Sequence, residues 1–177
     1  MKKIFILIFS IFLLTGCTFL YKSPSKSVEK FLNNYKDNSE SVITELNNYL
    51  DTEELSKSEK EKYKEVYIRQ YSNLKYIIKN EKVDGNKALV DVQITVYDYN
   101  KVNKESNNYF LSNQDKFIKS NGDIDLDKYF NYKINRLIET KDTITYTLTL
   151  KLNKINDSWE IEPLTSEQLS KLHGTYE

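Results

Sequence analysis

Chain-breaking residues are scarce in this sequence: its 177 positions hold two prolines and four glycines. That excludes a collagenous or low-complexity chain and leaves most positions for regular elements. A surplus of one charge is missing too, since 26 basic side chains stand against 26 acidic ones. A nucleic-acid binder needs clustered Lys and Arg to displace counterions from phosphate, so nucleic acid is not an expected partner. There is one histidine and one cysteine. A zinc site of nitrogen and sulfur ligands therefore has nothing to build on, and neither metal nor cofactor is expected. No phosphate-cradling glycine loop and no nucleophile elbow occurs. What is present, 39% apolar and 29% charged residues, suits one globular domain with an appendage.

The appendage comes first. Lys2 and Lys3 precede an apolar run from Ile4 to Leu14, which leads into Thr15-Gly16-Cys17. The eleven positions of that run fall short of the roughly 20 a helix needs to cross a bilayer. Residues 1–16 read as a secretion signal. Leu14-Thr15-Gly16-Cys17 resembles the lipobox of bacterial lipoproteins, where small residues precede a cysteine that is acylated before cleavage on its N-terminal side. The resemblance implies that Cys17 carries the lipid and that residues 17–24 are the lipidated cysteine and its tether. It also implies a cell-membrane location, lipid-anchored and facing the extracytoplasmic side. The alternative is an ordinary signal peptide with an incidental cysteine; a sole thiol, with no partner for a disulfide, favours lipidation. Cleavage before Cys17 removes two lysines and no acid, so 26 basic groups become 24 against 26 acidic ones. That remainder gains no attraction to anionic headgroups, which leaves the acyl chains to hold the protein.

Residues 25–177 read as a single α+β domain. Val28, Phe31, Leu32 and Tyr35 follow helical spacing, and Ser39 is placed to cap a second helix carrying Val42, Ile43, Leu46 and Leu50. A third helix is expected to open at Ser58, with Glu61 completing a capping box, and to bury Tyr63, Val66 and Tyr67. Alternation then replaces the helical period. Leu74, Tyr76 and Ile78 share one strand face; after an Asp84-Gly85-Asn86 turn, Ala88, Val90, Val92, Ile94 and Val96 share another. Residues 100–120 read as helix, and Leu126, Tyr129, Phe130, Ile134 and Leu137 mark a further one capped by Asp125. A long strand with Ile144, Tyr146, Leu148, Leu150 and Leu152 inward turns at Asn156-Asp157 into a short strand holding Trp159 and Ile161. Thr165 and Gln168 suit the start of a last helix that stops at Gly174. The expected architecture is an antiparallel curved sheet of about four strands, packed by N-terminal helices and an inserted helical segment.

Several stretches carry a resemblance: Ser27-Val28-Glu29-Lys30-Phe31-Leu32, Val96-Tyr97-Asp98, Tyr146-Thr147-Leu148-Thr149-Leu150, Asp157-Ser158-Trp159-Glu160-Ile161, and the final Leu-x-x-Leu helix ending at Gly174. With their order they resemble the cone-shaped fold of the nuclear transport factor two superfamily, and are similar to lipoproteins of low-GC Gram-positive bacteria. Enzymes of that cone place an Asp or His inside it. Here no acid or base interrupts the inward stripes of the two long strands. Asp98, between Tyr97 and Tyr99, is the exception: either it caps the following helix, or it is an acid at the mouth of a ligand pocket lined by those two tyrosines. His173, in the last helical turn, reads as a cation favoured by the helix dipole. Asp123, Asp125 and Asp127 resemble the opening of a calcium loop, but Lys128 and Ile134 occupy positions that need Gly and Glu. Tyr97 with Thr143, Thr145, Thr147 and Thr149 forms a polar sheet face open to solvent or to a partner. The leading expectation is a membrane-anchored, non-catalytic module that binds an envelope protein or polymer. The alternative is a small-molecule-binding or hydrolytic cone using Asp98.

Overall fold

The computed structural model describes residues 23–177; the secretion signal, Cys17 and the tether up to residue 22 lie outside the described residues. Helix α1 (Pro24–Lys36) starts where it should, with the Ser23 side chain accepting from Lys26 N and Pro24 supplying a residue that has no N–H to satisfy. It buries Val28, Leu32 and Tyr35; α2 (Glu40–Asp51) buries Val42, Leu46 and Leu50. Ser39 holds the cap position of α2 without a side-chain cap bond, its hydroxyl lying 3.1 Å from that of Ser41. Helix α3 (Lys57–Ser72) opens two residues earlier than expected, on a capping box of Ser56 and Glu59. Two overlapping Ser-x-x-Glu patterns compete there, and the earlier one adds backbone bonds such as Lys60 N to Ser56 O at 3.0 Å.

Strands β1 (Lys75–Asp84), β2 (Lys87–Tyr97), β3 (Thr143–Ile155) and β4 (Ser158–Ile161) form one antiparallel sheet in sequence order. Between β2 and β3 the chain inserts α4 (Tyr99–Ser112), a 3-10 turn (Gln114–Phe117) and α5 (Leu126–Glu139), and α6 (Ser166–His173) closes the fold. The α+β expectation holds, with the sheet packed by helices. Asp125 caps α5 through Lys128 N, and Thr165 with Gln168 forms the capping box of α6. The turn residues Gly85, Asn156 and Asp157 take positive φ, the geometry that short hairpins with right-handed twist require.

Alternation decides the core. Val90, Val92, Ile94, Leu148, Leu150 and Leu152 are all buried against α1, α3 and α6, with Tyr76, Tyr146 and Trp159 packed at the margin. Each such aliphatic side chain contributes about 1.5–3 kcal/mol by leaving water. A second cluster, Val66, Tyr99, Val102, Ile134 and Leu137, joins α3 to α4 and α5.

The two clusters meet at Gln70, which is fully buried. Its Nε2 donates to Tyr97 O at 3.0 Å and His173 O at 2.8 Å, while its Oε1 accepts from Tyr97 N at 2.8 Å. Gly174 follows in the left-handed region at φ 71°, where a Cβ would overlap both Tyr97 O and Gln70 Nε2. Its carbonyl accepts from Asn100 N at 2.8 Å, tying the end of α6 to the start of α4.

His173 corrects its sequence reading. Instead of standing as a cation in solvent, it is buried among Tyr49, Tyr67 and Tyr71, and the Tyr71 hydroxyl shares a 2.9 Å hydrogen bond with its Nε2. Burial pushes its pKa down to about 4, because a charged imidazolium there would lose its hydration. The unfolded chain takes up this proton near the ordinary value of 6.5. Stability is therefore full above about pH 6.5, falls by roughly 3 kcal/mol as the pH drops toward 4, and levels off below. Urea midpoints of the protein and of His173→Gln across this window test it. The natural chain should show the steeper fall, and equal slopes would contradict the buried neutral ring.

Candidate functional site

The junction between β2 and α4 brings the three expected pocket residues into view. Asp98 is the N-cap of α4: its carboxylate accepts from Lys101 N at 2.9 Å and its backbone N donates to Asp142 O at 2.9 Å. Lys101 in turn pairs with Asp142 at 2.6 Å, so the loop before β3 is fastened to the same turn. Tyr97 is not a free element of the polar sheet face. Its ring lies under the Arg69 guanidinium, 3.7 Å from the centroid, and stacks on Tyr99 with centroids 6.1 Å apart. Arg69 also donates to Thr140 O at 2.6 Å, which clamps the end of α5. Tyr99 is buried, its hydroxyl donates to Val66 O at 3.1 Å, and burial pushes that hydroxyl's pKa up to about 12 against the opposing pull of Arg69. At neutral pH it is a hydrogen-bond donor, not a base.

Tyr99 forms one wall of a pocket of about 260 Å³ between α2, α3, α4 and α5. Tyr49, Tyr63 and Tyr67 supply aromatic walls; Glu53, Asn103, Asn107 and Lys133 supply polar groups. Tyr97 and Asp98 do not line it. The structure therefore separates the residues that sequence order put together: Tyr99 faces the pocket, Asp98 holds a helix end, and Tyr97 packs against Arg69. Lys133 reaches over the Tyr63 ring at 5.7 Å, an arrangement no local pattern announces because it joins α5 to α3.

A larger recess, about 720 Å³, runs between α1 and the segment from β4 into α6. Phe31, Trp159, Ile161, Pro163 and Leu164 make its floor, and Lys30, Glu45, Glu160 and Glu162 stand around it. This groove was the feature hardest to see in the sequence. Trp159 keeps the inward phase of β4, but β4 is short and lies at the sheet edge, so part of the ring stays in reach of solvent. A volume of that size lies within the roughly 300–1,000 Å³ usual for ligand sites, whereas the pocket beside Tyr99 falls below it.

The one histidine lines neither of these pockets. Its neighbouring cavity, between Tyr35, Glu45, Tyr71 and His173, measures about 30 Å³. That is room for a water molecule and too little for a substrate. Among the described residues no group of three or more His, Cys, Asp or Glu is arranged to hold a metal ion. No helix among them is long and apolar enough to cross a membrane.

Residues 1–18 match the family model of the prokaryotic membrane lipoprotein lipid attachment site. That signal supports a bacterial lipoprotein anchored to the membrane by lipid. No curated protein and no solved structure matches the chain.

The cap role of Asp98 has a direct measure. Asp98→Ala should lower the folding free energy by about 1 kcal/mol and Asp98→Asn by only a few tenths, read from urea denaturation. An alanine variant as stable as the natural chain would remove the cap as the reason for an acid here.

Proposed function

We propose that this protein is a non-catalytic contact module, lipidated at Cys17, held on the extracytoplasmic face of the membrane, and binding an envelope protein or polymer through the groove between α1 and β4. The groove carries the reading: about 720 Å³ floored by Phe31, Trp159, Ile161, Pro163 and Leu164, with charged groups of both signs around it. Aromatic and aliphatic floors with polar rims are the ordinary anatomy of recognition surfaces, and a tryptophan at the centre is the residue type that most often dominates binding. Two further observations support it. From Ala88 to Val96 and from Ile144 to Leu152 the inward faces of β2 and β3 hold no carboxylate, lysine, arginine or histidine, and the only histidine is buried. The helices that precede a four-stranded antiparallel sheet also support the resemblance to the cone-shaped superfamily.

The pocket beside Tyr99 favours a second reading, a small-ligand site. At about 260 Å³ it accommodates a small group such as a partner's side chain or a compact solute. A hydrolytic version needs Asp98 to leave its cap bond to Lys101 N and turn toward that pocket.

The two readings separate by crosslinking in intact cells. A photoreactive residue replacing Lys30, at the groove, should capture a reproducible envelope component, and Trp159→Ala should abolish the capture. A photoreactive residue replacing Lys64, on the outer face of α3, should capture none of it. Capture that survives Trp159→Ala, or no capture at all, would count against the groove.

A further inference from the structure

The start of α1 determines which part of the domain the anchor brings to the bilayer. Ser25 donates from its backbone N and its hydroxyl to Glu81, while Tyr76 donates its hydroxyl to Asn33 at 2.8 Å. Helix α1 therefore runs antiparallel to β1 and begins beside the Asp84-Gly85-Asn86 turn. The Asn156-Asp157 turn lies at the same end, because Lys154 N donates to Asn86 O at 2.8 Å. Residues 17 to 23 are six peptide steps apart and span about 22 Å at most when fully extended. Strand β2, with 11 residues, is about 36 Å long. A lipid on Cys17 thus keeps the turn end of the sheet within reach of the membrane, while the end bearing Asp98 and the start of α4 is free to stand away.

The turn end has a composition that suits this place. Leu89 and Ile155, on the outer face of the sheet, are 42% and 46% exposed there, and Val83, on the opposite face beside Ala88, is 49% exposed. Lys82, Lys87 and Lys151 line a shallow recess around Leu89, and their side chains enter no ion pair found among the described residues; Lys154 nearby is held by Asp157 at 3.3 Å. Acids share the same end: Asp84 and Glu160, with Glu81 bonded to Ser25 and Glu162 accepting from Asn153 at 2.9 Å. Charge is therefore close to balanced. Attraction by anionic headgroups is weak, and contact rests on aliphatic groups entering the interface while lysine stems lie along it with their ammonium groups in the headgroup layer.

We infer that the end of the sheet formed by the 84–86 and 156–157 turns rests on the lipid surface, with Leu89 and Ile155 as the contacting side chains. The domain then stands with the start of α4 pointing away from the bilayer, and the groove beside Trp159 opens close to the membrane. This rests on the reading that Cys17 is acylated.

The test uses the full lipidated chain on vesicles of phosphatidylethanolamine and phosphatidylglycerol. With Cys17 acylated, a single introduced thiol takes a fluorophore selectively, since the natural sequence has no other cysteine. Leu89→Cys and Ile155→Cys sample the turn end; Lys141→Cys samples the opposite end, next to Thr143. Quenching by a headgroup-bound nitroxide should be several-fold stronger at 89 and 155 than at 141. Flotation of the chain with equal quenching at all three sites, or with strongest quenching at 141, overturns the orientation and leaves the anchor intact. Failure to float with the vesicles overturns the anchor and the orientation together. Agreement between two separate turn-end sites guards against one label disturbing the local fold.

Discussion

One buried carboxamide holds the two halves of this domain in register. Gln70 leaves no polar atom unsatisfied: both hydrogens of its Nε2 and its Oε1 bond to backbone groups of Tyr97 and His173. An amide placed there without partners would cost several kcal/mol, so these groups hold one another in a single geometry. The consequence is positional. The last residue of β2 is fixed against α3, and α6 ends on both. Gly174 is then forced into a conformation that only glycine adopts without a clash. From this point α4 departs with Asp98 as its cap, and everything in the inserted helical segment inherits that direction.

The same constraint separates the protein's surfaces. Above Gln70 the sheet core is apolar from Ala88 to Val96 and from Leu148 to Leu152. Below it, the tyrosines of α2, α3 and α4 surround a small pocket with polar groups. Burial raises the hydroxyl pKa of Tyr49, Tyr67 and Tyr99 around that pocket, so at neutral pH they stand there as hydrogen-bond donors. The acid with the best sequence credentials, Asp98, holds a helix end, and the histidine is kept neutral by burial. At the sheet edge the short β4 leaves Trp159 partly uncovered beside α1.

Much of this fold was legible because its signals are local. Strict alternation from Ala88 to Val96 and from Ile144 to Leu152 specified two buried strand faces, and Asp125, Thr165 and Gly174 marked helix ends through their own side chains or lack of one. The misplaced start of α3 is also a local matter, since Ser56 and Ser58 both precede a glutamate by three positions. What stayed hidden depends on distant partners. Gln70 looks like any polar residue on a charged helix, until Tyr97 and His173, 27 and 103 positions away, meet it. His173 is buried because Tyr67 and Tyr71 cover it, and Tyr97 is withdrawn from the open sheet face because Arg69 lies on its ring. No periodicity within one segment carries that information.

Amide hydrogen exchange at Tyr97 tests the central claim most directly. Its N–H donates to Gln70 Oε1, at the very end of β2 where strands normally fray. If the carboxamide joins the two halves, this amide exchanges only when the whole domain unfolds, with the same dependence on urea as Val92 and Ile94 in the centre of the strand. Exchange of Tyr97 through a local opening, while Val92 and Ile94 stay protected, would contradict the account.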